Sequence, residues 1–318
     1  MRGVVRLVVR RALLAALTLW LVSLVTFWSI EAMPGDAATR FLGRDATPEA
    51  VARLRERLHL DRPAPERYGR WLAGIVQGDL GPSLASNRPV AVIVGPRLWN
   101  TLTLAGLAFL LHLPVALIPA AVAALNRDRP VDHAIAAVNL IAVSLPSFLI
   151  ATLLLVGLVM IVPVFPAVSS VYPGMPPAQR LRALALPALT LAIVMAAYAL
   201  RMLRDNLVEV LDSEYVRMAE LKGLSQRRIL LRHALPNALG PTLNITALNV
   251  AYLVSGVVIV EKVFAFPGFG TTLVDSILVS DTPVVQACVL IAAAVYIAAN
   301  LLADVGALLF HPRLREAA

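Results

Sequence analysis

The side chains able to do covalent or metal chemistry in this sequence are few and scattered. A phosphate-binding loop needs lysine directly after glycine, so that backbone amides cradle the phosphates while the ammonium reaches them. Here the only two lysines, Lys222 and Lys262, follow Leu221 and Glu261. The five histidines, at 59, 112, 133, 233 and 311, show no helical pairing that would hold zinc. Gly81-Pro82-Ser83-Leu84-Ala85 starts like a nucleophile elbow but lacks its closing glycine and sits in a turn. Cys288, the only cysteine, lies inside an apolar run, which rules out an internal disulfide and a cysteine-based metal site. The sequence therefore predicts no catalytic residue, no metal site and no cofactor held by this chain.

What remains is the chemistry of recognition, concentrated in a charged island from Ser213 to Asn237 between two apolar runs. Tyr215 to Lys222 has the composition of a short helix, and Gly223 supplies the positive φ that ends one. Ser225 can cap a second helix carrying Ile229, Leu230, Leu231 and Leu235 on an apolar side and Arg228 and Arg232 on another, with Pro236 expected to stop it. Three readings fit a helix, glycine turn, helix: a basic connecting loop, a DNA-reading helix-turn-helix, or a dock for a soluble partner.

A second set consists of polar residues inside apolar runs, where exposure to lipid is costly: Asn139, Ser144, Asn244, Thr246, Asn249, Ser255, Asn300 and Asp304. Interhelical hydrogen bonding accounts for most of them. Asn249 with Tyr252, and Asp304, are the preferred candidates for lining or gating a pathway.

The elements that must position these residues follow from composition. Of the 318 residues 59% are hydrophobic and 15% charged, with a mean hydropathy of +0.77, so the chain is an all-α integral membrane protein. Arg2, Arg6, Arg10 and Arg11 precede a first span over 12–30, too long for the apolar core of a signal peptide. A polar cap over 31–99 follows, with a helix start at Thr47-Pro48-Glu49 and an amphipathic stretch bearing Tyr68, Trp71, Leu72 and Ile75, expected to pack on the tops of membrane helices. A five-helix core over 100–310 holds spans at 101–125, 133–162, 184–203, 243–260 and 284–310, with the island in a loop over 204–241 and a tail over 311–318. That makes six spans. Arginines in residues 1–11, in Asn126-Arg127-Asp128-Arg129, in the island and in the tail put both termini and the island in the cytoplasm. The net charge of +8 is thus explained by inner loops facing anionic lipid rather than by nucleic acid. A DNA reader tethered by spans at both ends could scarcely lie along a major groove, which leaves docking of a cytoplasmic protein in the lead.

Ala219-Glu220-Leu221-Lys222-Gly223, followed thirteen residues later by Pro236, resembles the EAA loop of permease subunits of bacterial binding-protein-dependent ABC importers. Pro34-Gly35-Asp36, Leu60-Asp61-Arg62-Pro63, Gly78-Asp79-Leu80-Gly81, Ser144-Leu145-Pro146-Ser147-Phe148, Glu261-Lys262-Val263-Phe264 and Phe266-Pro267-Gly268-Phe269-Gly270 are similar to the dipeptide, oligopeptide and nickel branch, over essentially the whole chain. Its long cap resembles that of the first of the two permeases usually encoded together. Leu221 stands where the family more often has alanine.

The resemblance implies a six-helix type I importer fold and a coupling helix seated in a cleft of a cytoplasmic ATPase. Glu220 would be the polar contact, Tyr215, Ala219 and Leu221 would pack, and Lys222, Gly223 and Pro236 would complete the motif. It also implies a homologous second permease, two ATPase domains that bind ATP-Mg, and an extracytoplasmic binding protein that hands over the solute, in the bacterial cytoplasmic membrane. Glu261, at the outer end of the fifth span, is then a gate, a contact with that delivery protein, or an anchor for the Pro267-Gly268 turn. Dipeptides, oligopeptides, nickel, glutathione and sugars are all solutes of the branch, a short peptide being the leading choice. The rival from another class is a secondary transporter or channel, which would show inverted repeats and membrane-embedded charges; Asp304 is an isolated candidate.

Overall fold

The computed structural model describes residues 2–43, 46–239 and 257–310, and the side chains of 9–43, 46–239 and 257–301. Among these residues the chain is helical, with one isolated β-bridge between Pro82 and Pro89. The helices are α1 (Arg2–Glu31), α2 (Ala37–Leu42), α3 (Pro48–Arg57), α4 (Ala64–Val76), α5 (Val90–Leu125), α6 (Pro130–Ser144), α7 (Ser147–Leu155), α8 (Pro177–Leu211), α9 (Glu214–Leu221), α10 (226–239), α11 (257–263), α12 (Phe269–Leu278) and α13 (Thr282–Phe310).

Four stretches are long and apolar enough to cross a membrane: Val9–Glu31, Val90–Leu125, Pro177–Leu211 and Thr282–Leu301. The third expected span is not one rod. α6 ends at Ser144, with Leu145 as its C-cap, and α7 starts after Pro146, with a bend of 113° between Pro130–Ser144 and Ser147–Ile161. The cause is local: a residue before proline is pushed out of the helical region, and Leu145 sits at φ −85°, ψ 134°. α7 then runs into a π-helical turn over Val156–Ile161. α5 begins at Val90, well before the expected start, and passes through Gly95-Pro96. Most of the expected 243–260 span lies outside the described residues.

The chain divides into two compact units: the part up to Asn100 with Gly268–Leu301, and the described part of Thr101–Pro267 with the end of α13. In the first, the amphipathic stretch packs as its stripe predicts. Phe27 of α1 meets Tyr68 and Trp71 of α4 at ring separations of 5.4 and 5.8 Å, and Ser23 shares a 2.8 Å hydrogen bond with the Tyr68 hydroxyl. Arg67 pairs with Glu31, and Arg55 with Asp36. Partial burial works against ionisation of Asp36, but the Thr39 N–H, Arg55 and the Thr39 hydroxyl outweigh it and hold the carboxyl below its usual range. Thr47 caps α3, its hydroxyl oxygen accepting from Ala50 N–H at 3.3 Å, with Pro48 as first helical residue.

The second unit is organised on α8. Ala188, Ala192, Ala196 and Ala199 are all buried along it, small enough to let neighbours approach closely. Leu104 and Ala108 of α5, Ala151 of α7, and Val257, Val260, Phe264 and Phe266 join Leu184, Leu186, Leu191 and Met195 in one apolar core.

Candidate functional site

The island folds as a bent pair of helices directly continuing α8. Only Asp212 and Ser213 separate Leu211 from Glu214, so α9 starts one turn-like step after α8 stops. α9 closes at Gly223, which has φ +75°. Two hydrogen bonds seal the turn in the pattern of a Schellman cap: Gly223 N–H to Glu220 O at 2.8 Å and Leu224 N–H to Ala219 O at 3.2 Å. Leu224 folds back onto Val216, Ala219 and Ile229, a small apolar core that also takes in Val210 and Leu211 of α8. Ser225 has the extended backbone of an N-cap and its carbonyl accepts from Arg228 and Ile229, but its hydroxyl makes no cap bond.

α10 differs from the expected short helix stopped by Pro236. It widens to a π-helical turn over Leu230–Ala234 and remains helical to 239. Proline removes the donor that would serve the carbonyl of residue 232, and a wider turn is one of the ways a helix absorbs that loss. Its carbonyls find other partners. The Tyr215 hydroxyl donates to His233 O at 2.9 Å, and Asn237 Nδ2 donates to the same carbonyl at 2.7 Å and to the Tyr215 oxygen at 3.1 Å. This bracket ties α9 to α10 across the elbow. The inner face of α10, through Leu230, Ala234, Leu235 and Ala238, packs on Leu203 and Leu207 of α8 and Ala120 and Ala124 of α5. Asn206 Nδ2 adds a 3.3 Å bond to Ala238 O. The elbow is therefore seated on the helices behind it as one piece.

The expected docking residues separate into two groups. Ala219, 7% exposed, belongs to the elbow's own core, and the Tyr215 hydroxyl is committed to the bracket while its ring remains at the surface. Glu220, Leu221, Lys222, Gly223 and Pro236 are exposed. On α9 the most outward apolar residues are Leu221 at 77% and Met218 at 55%, and on α10 Leu231, expected on the apolar side, is exposed instead. Met218 escapes a reading by motif, although the three-residue spacing of Tyr215, Met218 and Leu221 is the signal for it. Glu220 pairs with neither Arg217 nor Arg227; its Oε1 accepts from Gln226 Nε2 at 3.3 Å, and Arg217 lies 3.4 Å from Glu214. The result is an edge of Met218, Leu221 and a weakly engaged carboxylate, on a body held rigid from behind. Tyr215→Phe removes one arm of the bracket while Asn237 keeps another. Amide exchange across 224–235 is expected to accelerate about two- to tenfold, the equivalent of one partly exposed hydrogen bond.

Of the pathway candidates, Asn249 and Tyr252 lie outside the described residues, and Asp304 lies on α13 beyond the described side chains. Glu261, near the end of α11, is fully buried. The Thr101 hydroxyl donates to its carboxylate, and its carbonyl accepts from Phe266 N–H at 2.8 Å, closing the turn before Pro267. Ser144 and Asn300 bond back to their own helices, at Leu140 O and Tyr296 O. Asn139 faces a cavity of about 430 Å³ between α5, α6 and α8.

Residues 113–316 match the family described as binding-protein-dependent transport system inner membrane component, and residues 4–105 match the N-terminal region described for the same systems. A putative peptide transport system permease protein of Brucella abortus is 37% identical over 309 residues, covering 97% of this chain and 98% of the relative. A glutathione transport system permease protein of Escherichia coli is 34% identical over 315 residues, and a probable peptide ABC transporter permease protein of Sinorhizobium fredii 32% over 310, with the same coverage of 97% and 98%.

Proposed function

The chain belongs to the binding-protein-dependent transport system inner membrane components, and from that premise we propose that its elbow docks a cytoplasmic ATPase and that its solute is a short peptide. It is the permease subunit of an ABC importer and a multi-pass protein of the bacterial cytoplasmic membrane. The docking reading rests on one observation above all: the elbow turns Met218 and Leu221 outward while burying Val216, Ala219 and Ile229 to hold its own shape. Two apolar side chains beside an exposed carboxylate on a preformed helix end suit insertion into a cleft, since little ordering remains to be done on binding.

In this reading six spans place both termini and the elbow in the cytoplasm, as the arginines of the short loops require. A homologous second permease completes the pathway, two ATPase domains carry ATP-Mg, and an external binding protein supplies the peptide. Closure of the ATPases on ATP displaces α9, and the seating of α10 on α5 and α8 passes that displacement into the membrane helices. This chain contributes binding and leverage rather than bond-making chemistry. The names of the relatives support a peptide, glutathione being itself a small peptide.

The reading is tested in vesicles holding the two permeases and the ATPases, with a labelled tripeptide and the co-encoded binding protein outside. Uptake is expected only with ATP inside and the ATPases present. Uptake that persists without them overturns the reading in favour of a secondary transporter.

A further inference from the structure

Beside the elbow lie two ion pairs that docking does not use. Asp132, in the first turn of α6, is 3% exposed, and Arg204 of α8 engages both its oxygens, Nε to Oδ1 at 3.1 Å and Nη2 to Oδ2 at 2.5 Å. Asp128 N–H gives Oδ2 a further bond at 3.0 Å, and Arg204 Nη1 reaches Asp205 at 3.0 Å. In the same loop Arg127 pairs with Asp212 at 2.5 Å. The first turn of α6 and the loop before it thus grip α8 at two points eight residues apart, about 12 Å along its axis. The second grip is on Asp212, one of the two residues that join α8 to α9.

The consequence lies in what α6 is attached to. It is the inner half of the span bent by 113°, and at Leu145-Pro146 no continuous helix carries it into α7. Midway along, an open apolar groove of about 430 Å³ runs beside the contact of α6 with α8, walled by Val138, Asn139 and Ala142 on one side and Ile193, Ala197 and Leu200 on the other. Apolar contact is non-directional, so the angle between the helices is set at the end where they are joined by directed bonds. A two-bond fork between guanidinium and carboxylate fixes direction as well as distance, which a single point charge does not. We infer that the Asp132–Arg204 fork is the link through which displacement of the elbow swings α6 about the proline break. This makes Asp132 and Arg204 positioning residues for the transport stroke. The inference rests on the docking reading above.

The test uses the assembled complex in the same vesicles, reading tripeptide imported and ATP hydrolysed together. Wild-type uptake that depends on ATP and the ATPases tests the docking reading; the ratio of the two rates in the variants tests the fork. Asp132→Asn keeps one acceptor but breaks the fork, and is expected to cut peptide per ATP about tenfold with hydrolysis retained; Arg204→Lys keeps the charge without the fork and is expected to cut it about threefold or more. A wild-type ratio in Arg204→Lys, or hydrolysis and uptake falling in parallel, overturns the inference. If Asp132→Asn fails to assemble, the Arg204→Lys ratio decides.

Discussion

Replacing Gly223 by valine is expected to reduce ATP-driven uptake about tenfold or more while the subunit still inserts in the membrane. Space is not the reason, because a Cβ at Gly223 would meet no atom within 4 Å. The cost is in the backbone. At φ +75° an L-residue gives up about 1–2 kcal/mol, and a β-branched one is a genuine outlier there. The turn itself is held by two cap hydrogen bonds and a core centred on Val216, Ala219 and Ile229. Relaxing the strain means straightening the turn, which loses both bonds and moves Leu224 off Ala219. The outward edge of Met218 and Leu221 then no longer sits at its angle to α10.

Gly223→Asn separates this cause from any general intolerance. Asparagine enters the left-handed region several-fold more readily than other residues, so this variant should retain most of the uptake. Equal loss in the two variants would mean that the surface of the turn matters rather than its conformation. Pull-down of the ATPase with each variant locates the defect, valine being expected to weaken recovery and asparagine to leave it near wild type.

How much of this could be read from the sequence depended on the range of the interactions. The Gly223 turn, the Thr47 cap and the packing of Tyr68 and Trp71 were legible because each depends on residues a few positions apart or on one periodic stripe. Proline read as punctuation was less dependable. Pro146 marks a bend far sharper than a kink, Pro96 lies inside α5 without stopping it, and Pro236 is carried through by a π-helical turn. Whether a proline stops, bends or merely widens a helix depends on what its surroundings offer the backbone, and that is not written in the proline itself. Ala219 looked like part of an interaction surface by its place in the motif, yet a small residue opposite Ile229 is what allows the elbow to close. The ion pairs were not legible at all. Asp132 and Arg204 are 72 positions apart, and nothing in the charge pattern of either helix names the other.

The same holds for Asp281, and alanine there is expected to destabilise the protein by about 3–5 kcal/mol. Asp281 precedes α13 and is 3% exposed. Its carboxylate accepts from the Ser83 hydroxyl at 2.5 Å, from Leu84 N–H at 3.0 Å and from Ala85 N–H at 3.2 Å, 198 to 196 residues away. The Ser83 oxygen in turn accepts from Ser86 N–H at 3.1 Å, so one acidic side chain organises the loop between Gly81 and Val90. That loop leads directly into α5, where Val90 and Val94 pack on Val284, Ala287 and Cys288 of α13. Losing the acceptor strands two backbone donors and a hydroxyl at a site closed to water, which costs more than the bonds themselves contribute. In the purified complex the unfolding midpoint should fall by about 10 °C, at roughly 2–4 °C per kcal/mol for a chain of this size. Residues 83–89 should also become cleavable by added protease. Ser83→Ala removes one donor rather than the acceptor, so a fall of only about 2–4 °C is expected. A midpoint in Asp281→Ala no lower than in Ser83→Ala would show that the carboxylate does not hold the loop, and that the apolar packing of α5 on α13 suffices without it.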